Sequence, residues 1–183
     1  YLSQKRIPHI LLEAENDPNV FGSWARHFKG LEITTQKKWC NLPGLSMSDK
    51  EFPNETVTAE EYQRYLKQYV HRFSINICRG ATVISVEKGT ETNPYLVKYH
   101  VQNGSVTTRA AWSVVVATGK HRIPRINTSD DIIGKLDTVG MPHVHSTDMC
   151  DDATWLQAIR AAQDGRLCII GFGNSAADLA TMI

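Results

Sequence analysis

The stretch "RLCIIGFGNSAADLATMI" constrains the fold more than any other part of this 183-residue chain. An apolar run, Leu167, Cys168, Ile169 and Ile170, leads into Gly171, Phe172 and Gly173 and then into a helical pattern. Gly171 permits a tight turn at the end of a strand. Gly173 lets the backbone approach a ligand with no Cβ in the way. Ala176 takes the third small-residue position, where close helix–strand packing is needed. The amides of Asn174, Ser175 and Ala176 then open a helix, whose unpaired N–H groups and dipole favour an anion such as a pyrophosphate. The G-x-G-x-x-A spacing draws its weight from this strand–turn–helix context; outside it, two glycines are only a turn.

A second signal lies near the start, in "HILLEAEN". Pro8 leads out of what reads as the last turn of a helix and into a nearly continuous apolar strand that ends in acids. An acid at such a strand end can accept hydrogen bonds from both hydroxyls of a ribose. Glu13 is the first candidate and Glu15 the alternative. A strand that simply ends in charge at the surface reads the same way.

Between these signals the periodicity changes twice. Residues 16–30 read as loop around Pro18, Gly22 and Gly30, "LEITT" as a short strand, and residues 36–55 as irregular. Thr58 with Glu61 fits a capping box. Tyr62, Tyr65, Leu66, Tyr69, Val70 and Phe73 follow at helical spacing and make one apolar face, read as core. Three strands come next, "ATVISVEK", "YLVKYHVQ" and "SVTTRAAW", the last two joined at Asn103-Gly104 as a hairpin. "SVVVATG" reads as a buried strand ending in a glycine turn. "KHRIPRINTSDDIIG" reads as a linker, and residues 153–162 as a helix that passes through Gly165 into the closing strand. The class is α/β.

Composition removes several functions. A net charge of +1 with no basic stripe points to no nucleic-acid partner. No apolar run approaches a membrane span, and no secretory leader is visible. Cys40, Cys78, Cys150 and Cys168 stand singly, with no C-x-x-C, so neither a metal site nor a dithiol redox centre is suggested. Free thiols favour a cytoplasmic location.

Taken together, the pieces resemble the flavin-containing monooxygenases and their Baeyer–Villiger relatives. "LLEAENDPNVFGSW" is similar to the family's segment with an acid and then G-G-x-W, placing Glu13, Gly22, Ser23 and Trp24. "LEITTQKKWCNLPG" resembles the stretch that borders the flavin, and "TAEEYQRYLKQYVHRFSINI" the helix that follows it. "VVVATGKHRIPRI" resembles the A-T-G motif, "HVHSTD" a His-Ser element, and "GFGNSAADLA" the second, NADPH-binding fingerprint. Two departures stand out. The first G-x-G-x-x-G, for the FAD pyrophosphate, is absent. The pattern F-x-G-x-x-x-H-x-x-x-[FY] is degraded, with Thr138 at the Phe place, Gly140 present, His145 one residue late and Met149 in place of the aromatic.

The resemblance implies a Rossmann-like fold of two dinucleotide-binding domains with a β-meander, incomplete at both ends. Residues 1–126 would form the FAD domain, and residues 127–183 the linker and the start of the NADPH domain. The chain then reads as an internal segment of a longer enzyme of the N,N-dimethylaniline monooxygenase type. In such an enzyme NADPH reduces FAD, and a C4a-(hydro)peroxyflavin formed with molecular oxygen inserts one oxygen atom into a small organic substrate. No side chain is required as acid, base or nucleophile, so no catalytic residue is named. The implied FAD contacts are Glu13, Ser23, Trp24, Gln36, Leu42, Val83, Thr118 and Gly119. The implied NADPH contacts are Gly171, Phe172, Gly173, Asn174, Ser175 and Ala176, with His145 and Ser146. Three alternatives remain: a non-catalytic nucleotide-binding or regulatory module of the same fold, a pyridine-nucleotide-dependent flavin reductase, and a pyridine-nucleotide disulfide reductase. The lone cysteines argue against the last.

Overall fold

A computed structural model describes residues 2, 5–102, 104–119, 132–171 and 173–183. Its first described feature is a turn closed as a helix C-terminus is closed. Arg6 takes the left-handed conformation (φ +54°) and the Ile7 amide reaches back to the Leu2 carbonyl at 3.0 Å, the closing bond of a helix C-terminus. The chain then enters β1 (Leu11–Glu13).

The central helix is α1 (Ala59–Phe73), and its sequence explains where it begins. The Thr58 hydroxyl accepts the Glu61 amide at 3.1 Å, and the Glu61 carboxylate accepts the Thr58 amide at 3.0 Å. This reciprocal pair satisfies two backbone donors that a helix start leaves open. The predicted apolar face packs as expected. Tyr65 is fully buried with Met47, Phe52 and Val57, and Tyr62, Leu66 and Tyr69 close the cluster from its edge. The tyrosine hydroxyls then hold the loop above them. Tyr65 Oη accepts the Leu42 amide at 2.6 Å and donates to the Leu45 carbonyl at 2.7 Å, while Tyr69 donates to the Pro43 carbonyl at 3.0 Å.

After α1 the chain forms β2 (Ile77–Arg79), parallel to β1 with Glu13 opposite Arg79. This strand was not expected from the sequence. It completes a β1–α1–β2 unit, the βαβ element of an α/β fold of the Rossmann type. The three expected meander strands follow as β3 (Ala81–Lys88), β4 (Tyr95–Val101) and β5 (Val106–Ala111), antiparallel in that order with a bulge between Val83 and Ser85. Ala81, Val97 and Tyr99 are buried on the face that meets Leu12 and Cys78, so the meander packs on the parallel pair. Asn103 of the expected hairpin turn lies outside the described residues; Gly104 donates to the Val101 carbonyl at 2.9 Å.

Three expected strands differ. "LEITT" makes only an isolated bridge, Glu32 to Thr58. Residues 113–119 and 166–171 form no regular element and belong to no ladder among the described residues. Val115 is 86% exposed and Val116 77%, so "SVVVATG" is not the buried strand expected. The apolar sequence specifies a strand, but a strand exists only with a neighbour to receive its N–H and C=O groups. Each segment keeps one inward anchor: Val114 on the meander core and Ile169 on the core around Phe28.

The linker expected at 120–134, and with it the boundary at 126/127, lies outside the described residues up to 131. Residues from Ile132 instead begin a short helix, α2 (Ile132–Thr138). Gly140, at φ +65°, stops it, and the Met141 amide closes on the Leu136 carbonyl at 2.9 Å. Then come a 3-10 helix Ser146–Cys150, α3 (Asp152–Gln163), where a helix was expected, and α4 (Asn174–Met182).

Replacing Tyr65 by Phe leaves the Leu42 amide and the Leu45 carbonyl without their partner. Tyr65→Phe is expected to cost about 1–3 kcal/mol in urea unfolding. A loss below 0.5 kcal/mol would mean that the hydroxyl is not what holds the 42–45 loop.

Candidate functional site

Residues 169–180 form the better defined of two candidate nucleotide sites. Gly171 has φ +128°, a conformation that L side chains rarely adopt, so the turn requires glycine there. Gly173 is the N-cap of α4 with φ −90° and ψ 178°, and it supplies no side-chain cap. A Cβ built on either glycine meets nothing within 4 Å. The space they open onto is a cavity of about 290 Å³ lined by Ile169, Gly171, Gly173, Asn174, Ala176, Ala177 and Ala180. The amides of Ala176 and Ala177 close on the Gly173 carbonyl at 3.0 and 3.1 Å. Those of Asn174 and Ser175 make no hydrogen bond among the described residues. Two donors with no partner among the described residues, at a helix start beside glycines with open space, form a cradle of the right chemistry for a phosphate. Phe172 lies outside the described residues.

His145 and Ser146 are built differently. His145 caps the 3-10 helix Ser146–Cys150. Its Nδ1 accepts the Thr147 amide at 3.2 Å, and its own amide donates to Asp148 at 3.3 Å. Accepting at Nδ1 puts the ring proton of the neutral imidazole on Nε2. Met149, at the aromatic place of the degraded pattern, is buried with Phe28.

The expected flavin contacts fall into groups. Glu13 ends β1 half-buried. One carboxylate oxygen accepts the Glu15 amide at 3.0 Å, and the other makes no hydrogen bond among the described residues. A carboxylate at a strand end with one oxygen uncommitted fits a ribose contact. Ser23 and Trp24 lie in a 3-10 helix, Gly22–Arg26, that packs on α1, with Trp24 edge-on to Tyr62 at 5.0 Å. Arg26 ties this turn to Glu15 at 3.6 Å, so the structure brings the Glu13–Glu15 strand end and the Ser23–Trp24 turn together. The same turn packs on Ser146–Cys150, where the two sets of candidate residues meet.

The remaining candidates stand apart. Gln36 is exposed at the start of a short 3-10 helix, Lys37–Trp39. Leu42 packs in the Tyr65 cluster. Val83 is 44% exposed at the meander bulge. Thr118 and Gly119 are exposed, and a Cβ on Gly119 would meet nothing within 4 Å, so this turn is not brought against the others.

Sequence reasoning missed the clamps. The Arg79 guanidinium donates to the Asp17 and Val20 carbonyls at 2.8 and 2.9 Å and lies over the Phe21 ring, fixing the loop between Glu13 and Ser23. Gln63 of α1 accepts the Phe21 amide at 2.9 Å. Neither carries a motif. The Cys40 thiol is pushed up by burial, which keeps it protonated at neutral pH. Among the described residues no cluster of three metal-ligating side chains occurs, and no helix is long and apolar enough to cross a membrane.

The family described as pyridine nucleotide-disulphide oxidoreductase matches residues 1–183. A curated relative from Geobacillus kaustophilus (strain HTA426), named uncharacterized oxidoreductase CzcO-like, is 28% identical over 180 residues, 98% of this chain and 45% of its own length. One from Bacillus subtilis (strain 168), named uncharacterized oxidoreductase CzcO, is 27% identical over 183 residues, 98% of this chain and 46% of its own. The chain thus spans a little under half the length of the curated relatives it matches. The solved structure of the bacillithiol disulfide reductase Bdr (YpdA) from Bacillus cereus shares the fold. Its TM-score is 0.58 at 15% identity, over 69% of this chain and 37% of that one.

Glu15 gives the site a pH dependence. Hydrogen bonds from the Asp17 and Asn16 amides, with Arg26 nearby, hold its carboxyl below the usual range. A depressed folded-state pKa adds stability that is full at neutral pH and is lost as pH falls through the folded value. Glu15→Gln is expected to lower Tm by about 1–3 °C at pH 7, and the difference should shrink as pH falls below the usual carboxylate range. A difference that stays constant with pH would assign the effect to packing instead.

Proposed function

We propose a function from one premise: the chain belongs to the pyridine nucleotide-disulphide oxidoreductase family. We infer that it carries the nucleotide-binding framework of a flavin-dependent oxidoreductase, and more narrowly of an NADPH-dependent monooxygenase. The observation that carries the reading is the open glycine turn at Gly171 and Gly173. Asn174 lines the cavity beside these glycines, and the Asn174 and Ser175 amides make no hydrogen bond among the described residues. Asn174 and Ser175 would hold the phosphates of NADPH through their amides; Ala176, whose amide is taken by the Gly173 carbonyl, would only line the cradle, with His145 and Ser146 on a neighbouring turn. Glu13 would accept the ribose hydroxyls of FAD, and Ser23 and Trp24 would border its ring system.

Narrowing to a monooxygenase rests on the Asn-Ser-Ala sequence directly after G-x-G and on the Gly22–Trp24 segment, both of which resemble the flavin-containing monooxygenases. Four unbridged cysteines, with no C-x-x-C, supply no dithiol for disulfide reduction. When bound, the flavin supplies hydride acceptance from the nicotinamide and the subsequent chemistry with molecular oxygen. The chain's own residues bind, orient and exclude water. Backbone amides would hold the phosphates, the carboxylate of Glu13 would fix the ribose, and Trp24 would lie near the flavin and help exclude water. The substrate would be a small organic molecule.

The intact protein is expected to purify with a flavin absorbance, to bleach on anaerobic addition of NADPH, and to recover in air. Gly173→Ser separates fold from function. Serine is a good N-cap and meets no atom there, so Tm should hold or rise, while the new side chain intrudes on the cradle. NADP+ affinity should fall about tenfold or more. Flavin binding without NADPH oxidation would favour a non-catalytic module, and bleaching without oxygen transfer to any acceptor would favour a flavin reductase. Unchanged NADP+ affinity in Gly173→Ser would remove the glycine turn from the site.

A further inference from the structure

Residues 28–31 join the two candidate sites physically. Phe28 is 1% exposed, in a core made with Met149, Ala158 and Leu179, and Leu31, Trp155, Ile169 and Ile183 pack around it. This is a mixed core: Phe28 follows the Ser23–Trp24 turn directly, while its partners belong to the elements that lead into and include α4. Lys29 makes an ion pair with Asp152, the first residue of α3. Gly30 sits at φ +74°, and a Cβ there would stand 2.5 Å from Met182 Cε, so the last turn of α4 lies against the Gly30 backbone. The Leu31 carbonyl accepts the Ala59 amide at 2.9 Å, at the start of α1. The segment is therefore gripped by α1 at one end and by α3 and α4 along its length.

We propose that residues 28–31 are a positioning strap that sets the placement of α4, and so of the Gly171–Gly173 turn, relative to the Gly22–Arg26 turn, with Phe28 as buried anchor and Lys29–Asp152 as outer clasp. The proposal rests on the two-nucleotide reading above. Hydride transfer between a nicotinamide and a flavin needs reacting atoms about 3–3.5 Å apart, and a displacement near 1 Å can cost about a hundredfold in rate. No strap residue is among those lining the cavity, but Ile169, which does line it, packs on the core that Phe28 anchors. The strap's effect on rate would act through the elements it joins, and its exposed ion pair contributes little to global stability.

The test uses the intact protein loaded with FAD and three variants: Lys29→Glu, Lys29→Arg and Phe28→Leu. Four quantities are read: hydrogen exchange over 22–31 and 174–182, the limiting rate of anaerobic flavin reduction at saturating NADPH, the NADP+ dissociation constant, and Tm. Lys29→Glu and Phe28→Leu are expected to speed exchange in both segments about fivefold. They should slow the limiting rate about tenfold, with NADP+ affinity within twofold of wild type. Lys29→Arg should restore exchange and rate to within twofold. Unchanged exchange, exchange that rises in only one segment, or a normal rate despite faster exchange would overturn the strap. So would a Lys29→Arg protein as impaired as Lys29→Glu. If the unsubstituted protein shows no reduction of its flavin by NADPH, the two-nucleotide reading falls by itself. Paired exchange with Arg rescue then still decides whether the strap holds the two segments.

Discussion

The stretch from residue 14 to 58 contains no strand and no α-helix, yet its backbone donors and acceptors must still find partners. Beside pairings within the stretch and the Arg79 clamp, helix α1 supplies several of them. Its tyrosine hydroxyls take the backbone groups of Leu42, Pro43 and Leu45, its Gln63 takes Phe21, and its first amide takes the Leu31 carbonyl. A single amphipathic helix with hydroxyls on its buried face thus does for a long irregular segment what ladder neighbours do for a strand. The apolar rings bury area and the hydroxyl tips reach back to backbone, a combination that Leu or Phe at the same positions could not provide. The candidate flavin turn and the strap both hang from this helix.

How far the sequence could be read follows from how local each determinant is. The capping box at Thr58 and Glu61, the apolar stripe of α1 and the three meander strands depend on residues within a few positions of one another, and they stand where expected. β2 escaped notice because Ile77, Cys78 and Arg79 form too short a run to show alternation; only their pairing with Leu11, Leu12 and Glu13 makes them a strand. Residues 113–119 and 166–171 failed in the opposite sense. Their composition is strand-like, but pairing is a property of two segments, and among the described residues neither finds a second. Val114 and Ile169, each turned inward, are what remains of the buried face that the pattern announced.

The candidate site divides along the same line. The Gly171–Gly173 turn was legible because each glycine answers a local demand: one a positive φ, the other space for a ligand backed by the start of a helix. Glu13 was legible as the first acid at the end of an apolar strand, Trp24 only through the family resemblance, and the contacts that hold them were not legible at all. Arg79 reaches the Asp17 and Val20 carbonyls from far along the chain, and nothing in its neighbours marks it. The cysteines show how far composition can go. The four cysteines are unbridged and form no C-x-x-C, while the family to which the chain belongs is the one named for disulphide reduction. Family membership here records a shared nucleotide-binding framework, and the redox chemistry is decided by what that framework holds in place.

That division bears on Met149. At this place the resembled pattern has an aromatic residue, and the preceding histidine is out of register by one. In the structure Met149 is buried against Phe28, while His145 turns its Nδ1 back onto the Thr147 amide as a cap. A flexible thioether adapts readily to an irregular gap of this kind. Phe28, on the segment that also bears Trp24, supplies the aromatic surface of the contact. The pair seats the turn Ser146–Cys150 on Gly22–Arg26, and so the elements of both candidate nucleotide sites meet at one packed contact.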